Sequence, residues 1–265
     1  MTKINDLLEF MESIAPFDLQ EDYDNSGLIA GNPEMEVKGV LVALDATPEV
    51  LDEALILGCN AVVSHHPILF TGIKRITGKT YVERSLVKAI QNNIALIAVH
   101  TNLDHVLENG VNSKIAEKIG VLDIVPLVSK ATHHSDYYSG SGAYGYLSSP
   151  MKLMDFLQHV KVTMDCQCLR FTQPLKEKVQ KIALCGGSGS FLLQNAIDKG
   201  AEVFISSDFK YHQFFDANDQ IVIADIGHYE SEQFTIELLF DLIQKNFSNF
   251  AAHYTKVNTN PINYL

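Results

Sequence analysis

The stretch Ala61-Val62-Val63-Ser64-His65-His66-Pro67-Ile68 runs from small and β-branched residues straight into two adjacent imidazoles. Residues 61–64 have the composition expected at the end of a buried strand. Neighbouring side chains in a regular strand point to opposite faces, so both histidines can serve one site only where the strand stops and the chain turns. Pro67 favours this, because it keeps His66 out of the helical region as the strand gives way to a loop. Two imidazoles at the carboxyl edge of a strand suit a metal site, and in open α/β sheets that edge is where ligands bind. Turn histidines with ordinary hydrogen bonds are the competing reading, and only partners elsewhere in the chain can separate the two.

Upstream, Val40-Leu41-Val42-Ala43-Leu44 is an apolar run typical of a buried parallel strand. Thr47 as N-cap and Pro48 at the first helical position then open a helix that runs through Leu51, Ala54 and Leu55 and stops at Gly58. Strand, helix and strand to Ser64 make a βαβ unit with short connections. Residues 4–14 carry apolar side chains at helical spacing, and the turn-rich Asp22-Tyr23-Asp24-Asn25-Ser26-Gly27 follows. Beyond the paired histidines, residues 71–80 read as an exposed loop with Lys74, Arg75 and Lys79, ahead of a helix over 81–92. An apolar strand over 94–99 runs into His100-Thr101-Asn102-Leu103-Asp104-His105, and 111–119 read as an amphipathic helix.

From about residue 125 the texture changes, and residues 137–149 are rich in Gly, Ser and Tyr, as strands and turns are. The expected division is a first α/β half over 1–125 and a second over 126–230, with the C-terminal helix of 231–265 packing back on the first. A second βαβ unit begins at Lys181-Ile182-Ala183-Leu184-Cys185, turns through Gly186-Gly187-Ser188-Gly189 and continues as a helix to Gly200. Its second strand is Val203-Phe204-Ile205-Ser206. A shift of 142 positions lays Ala54 on Ala196, Gly58 on Gly200 and Ser64 on Ser206, which sets Ser207 and Asp208 opposite His65 and His66. The fold class expected is α/β: two similar halves, layered sheets built from βαβ units, facing each other across a cleft. A last strand over 221–224 leads into Asp225-Ile226-Gly227-His228, and an amphipathic helix over 232–247 follows.

The totals narrow the function classes. With 46% hydrophobic and 20% charged residues in 265, the composition is that of a folded chain long enough for one large or two modest α/β domains. The formal net charge of −12 leaves no cation excess for a nonspecific nucleic-acid or anionic-membrane binder. Cys59 and Cys185 have the apolar surroundings of core thiols, and Cys166 and Cys168 read as half-buried strand residues, so no disulfide framework is visible. Neither a signal peptide nor a membrane span is legible, and a soluble, cytoplasmic protein is expected.

Metal-type side chains recur just after three buried strands: His65-His66, His100 with Asp104, and His228 with Glu232. His228 and Glu232 are four apart at the opening of a helix and share a face. Taken singly, Glu232 suits a helix N-terminus and His100 a backbone-bonded strand end. Taken together, four imidazoles beside two carboxylates exceed what one open tetrahedral zinc site needs, and they suit two bridged divalent ions. Mixed N/O ligation accepts zinc, manganese, iron, cobalt or nickel.

With these residues in view, the chain resembles the Nif-three-like family of dinuclear-metal proteins, many of which carry names likening them to GTP cyclohydrolase I type 2. The resemblance rests on Tyr23-Asp24-Asn25-Ser26-Gly27-Leu28, Leu44-Asp45-Ala46-Thr47-Pro48-Glu49-Val50, Ser64-His65-His66-Pro67, His100-Thr101-Asn102-Leu103-Asp104, Cys185-Gly186-Gly187-Ser188-Gly189 and Gly227-His228-Tyr229-Glu230-Ser231-Glu232. It implies metal ligation by His65, His66, Asp104, His228 and Glu232, with Glu232 bridging both ions and His100 beside them, either as a support behind the ligands or as a proton-handling catalytic group. It further implies metals in the cleft between the halves and a homo-oligomer, a hexameric ring. Longer members insert a ferredoxin-like domain, for which the stretch 125–180 is too short here.

A metal-bridged hydroxide is a nucleophile at neutral pH, so a hydrolase of the GTP-cyclohydrolase-like type, acting on a nucleotide or related small anion, is the first expectation. A non-catalytic metal-binding scaffold or regulator is the alternative. The loop Gly186, Gly187, Ser188, Gly189 either cradles an anion with its backbone N–H groups or is a tight turn that needs small residues. Lys74, Arg75, Lys210 and His212 either meet phosphate charge or are solvated surface.

Overall fold

In a computed structural model, which describes residues 1–130 and 139–265, the chain divides into two units. The first is Met1–Leu103 with Thr235–Pro261, and the second is Asp104–Phe234 with Ile262–Leu265. Tyr137 and Tyr138 of the Gly/Ser/Tyr-rich stretch lie outside the described residues.

In chain order the first unit holds α1 (Ile4–Ile14), β1 (Gly27–Ala30), β2 (Gly39–Ala43), α2 (Pro48–Ile56), β3 (Ala61–Ser64), α3 (Tyr81–Gln91) and β4 (Ala95–Ala98). The division between units falls inside the short α4 (Thr101–His105). The second unit then holds α5 (Val111–Ile119), β5 (Val121–Ser129), β6 (Gly140–Lys152), α6 (Leu153–Thr163), β7 (Arg170–Phe171), β8 (Lys178–Ser188), α7 (Leu193–Asp198), β9 (Val203–Ser207), β10 (Val222–Asp225) and α8 (His228–Glu232). The first unit is completed by α9 (Thr235–Asn246) and β11 (Ala251–Tyr254).

The first sheet has the order β1-β4-β3-β2-β11. Its strands β11, β2, β3 and β4 are parallel, with β1 antiparallel on the far edge. Every residue of β2, β3 and β4 is buried, as sheets covered on both faces require. Thr47 caps α2 by accepting from the Val50 N–H, Pro48 sits at the first helical position, and Leu51 and Ala54 pack on Leu41, Val62 and Leu96.

The second sheet has the order β5-β6-β8-β9-β10-β7. Here β8, β9 and β10 are parallel, whereas β5, β6 and the short β7 run antiparallel to their neighbours. The change of texture near residue 125 is thus the opening of the long β5–β6 antiparallel pair, inside the second unit. Leu193 and Ala196 of α7 pack in one core with Ala183, Phe204 and Ile223.

The two βαβ units match bond for bond. Gly58 and Gly200 end their helices with φ of 71° and 69°. Cys59 N–H bonds Ala54 O at 2.8 Å as Ala201 N–H bonds Ala196 O at 3.0 Å. Asn60 Oδ1 accepts from Lys38 N–H at 2.8 Å, as Glu202 Oε2 accepts from Gln180 N–H at 2.7 Å. Each of these pairs is related by the same shift of 142 positions that the sequence shows.

Some sequence expectations differ from what forms. The C-terminal amphipathic stretch is two helices, α8 and α9, with Gln233 and Phe234 between them. Strand β8 continues through Gly186 and Gly187 to Ser188 before a 3-10 turn (Ser190–Leu192). Cys166 and Cys168 lie in the loop between α6 and β7, not in a strand, and only Cys166 is buried. Among the described residues no helix is long and apolar enough to cross a membrane.

Candidate metal centre

Parallel strands present their carboxyl ends on one edge, and the polar residues of the first unit collect there. His65 and His66 follow β3, Asp45 follows β2, and His100 follows β4. Donor nitrogens of His65, His66 and His100 all lie within 4.8 Å of one another. Their ring centroids are 5.0 to 5.4 Å apart.

Each ring is held through Nδ1. His65, fully buried, faces the Val99 carbonyl at 2.9 Å. His66 Nδ1 lies 2.8 Å from Asp45 Oδ1, and His100 Nδ1 lies 2.8 Å from Asp24 Oδ1. A carbonyl or carboxylate only accepts, so Nδ1 carries the hydrogen and Nε2 presents its lone pair. The orienting groups are themselves fixed. Asp24 also accepts from the N–H of Thr101 at 2.9 Å and from its hydroxyl. Burial alone would raise the Asp24 carboxyl, but hydrogen bonds from His100 and Thr101 hold it well below the ordinary carboxylate range. Asn102 Oδ1 accepts from Ser26 Oγ at 2.8 Å and from His100 N–H at 2.9 Å, locking the Asp24–Gly27 loop to the start of α4.

The second unit presents a different donor set on the corresponding edge. His228 opens α8, and its Nε2 lies 3.0 Å from Glu232 Oε2, one turn along the helix. His228 Nδ1 is 2.7 Å from Asp208 Oδ2, which follows β9. Burial opposes a charge on His228, yet hydrogen bonds to Asp208 and Glu232 push its pKa up to about 11. An imidazole so flanked by carboxylates holds a proton where a cation would be equally welcome. Asp225 secures both turns: its Oδ2 accepts from Phe209 N–H at 3.0 Å and from Arg170 at 2.5 Å, and its Oδ1 accepts from Gly227 N–H at 3.1 Å.

The glycines of the Gly186–Gly189 stretch make room for these groups. At Gly187, with φ of 62°, a Cβ would meet Glu232 Oε1 at 2.3 Å. At Gly186 a Cβ would meet Val111 at 2.8 Å. Of the N–H groups expected to cradle an anion, that of Gly186 is committed to Asn112 Oδ1 at 3.1 Å and that of Gly187 to Ser231 Oγ at 2.9 Å. Cys185, buried beside them, is pushed far up by burial and then by the charges of Asp104 and Glu232.

The structure thus gathers His65, His66 and His100 in one unit, and it places His228 against Glu232 in the other, with Asp104 and Glu232 both acting on Cys185. Asp104 is also held through its carbonyl, which accepts from Asn112 Nδ2 at 2.9 Å. Such imidazole and carboxylate groups can hold divalent ions, and the Nδ1 tethers match the carboxylate–histidine pattern of metal sites. The sequence reading did not single out Asp24, Asp45 and Asp208 as orienting groups. Their signal was position alone, two of them just beyond a strand end and the third in the turn-rich first loop. Lys210 and His212 lie beside and on a 3-10 segment (Tyr211–Ala217).

A family model described as Duf34/NIF3 (NGG1p interacting factor 3) matches residues 2–261. A GTP cyclohydrolase 1 type 2 homolog of Clostridium acetobutylicum is 34% identical over 231 residues, covering 87% of this chain and 85% of that protein. One from Campylobacter jejuni is 30% identical over 265 residues, covering 99% and 100%. Among solved structures, a Staphylococcus aureus hypothetical protein superposes with a TM-score of 0.91 at 31% identity, covering 99% of both chains. A Bacillus cereus protein related to NIF3 superposes with a TM-score of 0.89 at 25% identity, covering 100% of this chain and 99% of that one.

Proposed function

The chain belongs to the Duf34/NIF3 family, and from that premise we propose that it is a metal-dependent hydrolase in which His65, His66, Asp104, His228 and Glu232 hold two divalent ions. Its substrate is a nucleotide or a related small anion, the class to which the names of its relatives point. One observation carries the reading: His65 and His66 each have Nδ1 fixed by an acceptor, which leaves Nε2 as the ligand atom, and His228 and Glu232 stand together as a nitrogen and carboxylate pair 3.0 Å apart. Two ions bound there would supply Lewis acidity and an activated water at neutral pH.

The residues of the chain do the rest. Asp45 and Asp208 fix the rings of His66 and His228, and Gly187 leaves the space that the Glu232 carboxylate occupies. His100, its ring fixed by Asp24, would hold or pass a proton to the reacting group. The same reading carries a homo-oligomer, a hexameric ring, whose mass light scattering measures.

Elemental analysis of the purified chain should give two divalent ions per chain, and the metal-loaded protein should hydrolyse a member of a nucleotide and phosphoester panel. His65→Ala and Glu232→Gln should lose metal and turnover together, whereas His100→Ala should keep the metal and lose turnover. Two tightly held ions with no turnover across the panel would leave the non-catalytic scaffold standing instead.

A further inference from the structure

Beyond the ligands, the segment from Leu69 to Ile76 carries chemistry that metal binding does not use. Leu69 and Ile73 pack against the core of the first unit, and the Leu69 carbonyl accepts from Asn25 Nδ2 at 2.8 Å. The backbone on either side of Phe70 is therefore tied down. Phe70 itself is turned outward and 49% exposed, yet its ring centroid lies 5.6 Å from that of His100, in an edge-to-face arrangement. An anchored loop that leaves half of a phenyl ring in water beside a group of imidazoles offers a flat apolar surface for a ligand ring. The fold gains little from that exposed half, since apolar area stabilises only when it leaves water.

Four and five residues on, Lys74 and Arg75 are both exposed, and among the described residues neither makes a hydrogen bond or ion pair. In a chain of net charge −12, two adjacent cations with no partner among the described residues are a local reversal of sign. Like the imidazoles, they belong to the first unit, and they share the anchored loop with Phe70.

We propose that the Leu69–Ile76 loop is the part of the protein that recognises the substrate, with Phe70 stacking on a planar heterocycle and Lys74 and Arg75 meeting its phosphates. A ring–phosphate conjugate, a nucleotide, is the ligand class that uses both features; a simple phosphate would use only the cations. This rests on the hydrolase reading for its choice of ligand and adds what selects it.

The test is equilibrium binding to the metal-loaded full chain, by calorimetry, with GTP and inorganic triphosphate as the two probes. Phe70→Ala should weaken GTP about tenfold and leave triphosphate within about twofold, since a stacked base contributes on that scale. Phe70→Trp should restore GTP binding. The double variant Lys74→Ala with Arg75→Ala should weaken both probes, and more at low salt than at high. Metal content, read on every variant, should not change. An equal loss of both probes in Phe70→Ala overturns the inference, as does an unchanged GTP affinity or a wild type that binds no GTP. So does a change in assembly mass in Phe70→Ala, which would make the ring a contact between copies. GTP binding that obeys this pattern without any turnover would instead overturn the hydrolase reading and leave the loop's role intact.

Discussion

The β2–α2–β3 and β8–α7–β9 units share their helix ends, their left-handed glycines and the hydrogen bonds that close them, yet they deliver different chemistry at the same point. Where the first places His66, held by Asp45, the second places Asp208, which holds the ring of His228 borrowed from α8. One unit exports imidazoles from its own strand end, and the other exports a carboxylate that orients an imidazole from elsewhere. A common scaffold therefore fixes where a functional group stands, while the residue type at that place decides whether it acts as a donor or as a support.

The largest effect should come from removing a donor on either side. His66→Ala and Glu232→Gln should each cost at least one bound ion per chain and abolish turnover; elemental analysis showing both ions retained in either variant would break the comparison. Next come the supports. Asp45→Asn and Asp208→Asn should weaken metal binding by about 10- to 100-fold while the ligands remain, as outer partners of metal-bound histidines generally do. They should differ in pH dependence. Because His228 is protonated up to about pH 11, metal uptake must displace a proton, so affinity should rise with pH through the neutral range. Metal titrations between about pH 6 and 9 should show a shallower rise in Asp208→Asn than in Asp45→Asn, since the amide lowers the proton affinity of His228.

A glycine pair sharpens the same contrast. Gly187→Ala forces a Cβ to 2.3 Å from Glu232 Oε1 and should both destabilise the fold and reduce metal content. Gly58→Ala, at a φ of 71° with nothing within 4 Å of the new Cβ, should cost only about 1 kcal/mol of backbone strain and leave the metal in place. Denaturant unfolding alongside elemental analysis separates the two.

The smallest effect concerns Asn60 and Glu202, which make equivalent bonds but differ in charge. Burial would raise the Glu202 carboxyl, but Lys176 and the N–H groups of Gln180 and Lys181 lower it overall. A carboxyl lowered on folding stabilises above its unfolded value near 4.5, and that contribution fades as pH falls through the folded value. Glu202→Gln should therefore cost about 1 kcal/mol near neutral pH, and the gap to the wild type should close below about pH 4.5. A gap of constant size on acidification would show that charge is not what distinguishes the two positions.

What could be read from the sequence was whatever depended on short-range pattern. The cap at Thr47 and Pro48, the stop at Gly58, the helix at 111–119 and the buried parallel strands all follow from local chemistry, and they emerge with little change. The strand-end histidines were legible for the same reason. Features made by distant pairing were not. Asp24 and His100 are 76 residues apart, and nothing near Asp24 announces its partner. The glycines after Cys185 looked like an anion cradle because their spacing cannot reveal that Asn112 and Ser231 take two of the N–H groups. The helix over 153–163 and the strand over 251–254 went unmarked, the latter because Ala251-Ala252-His253-Tyr254 has little strand character until β2 offers it an edge.

That late strand has a consequence for biosynthesis. β11 pairs in parallel with β2, Ala251 beside Gly39 and Tyr254 beside Val42, so the ladder along the buried centre of the first sheet stays open until more than two hundred further residues have been translated. A nascent chain leaving the ribosome carries that uncovered edge throughout, the kind of surface that templates unwanted pairing between chains. Slowed synthesis or a truncation ahead of Ala251 should therefore yield aggregates rather than a weakened native protein.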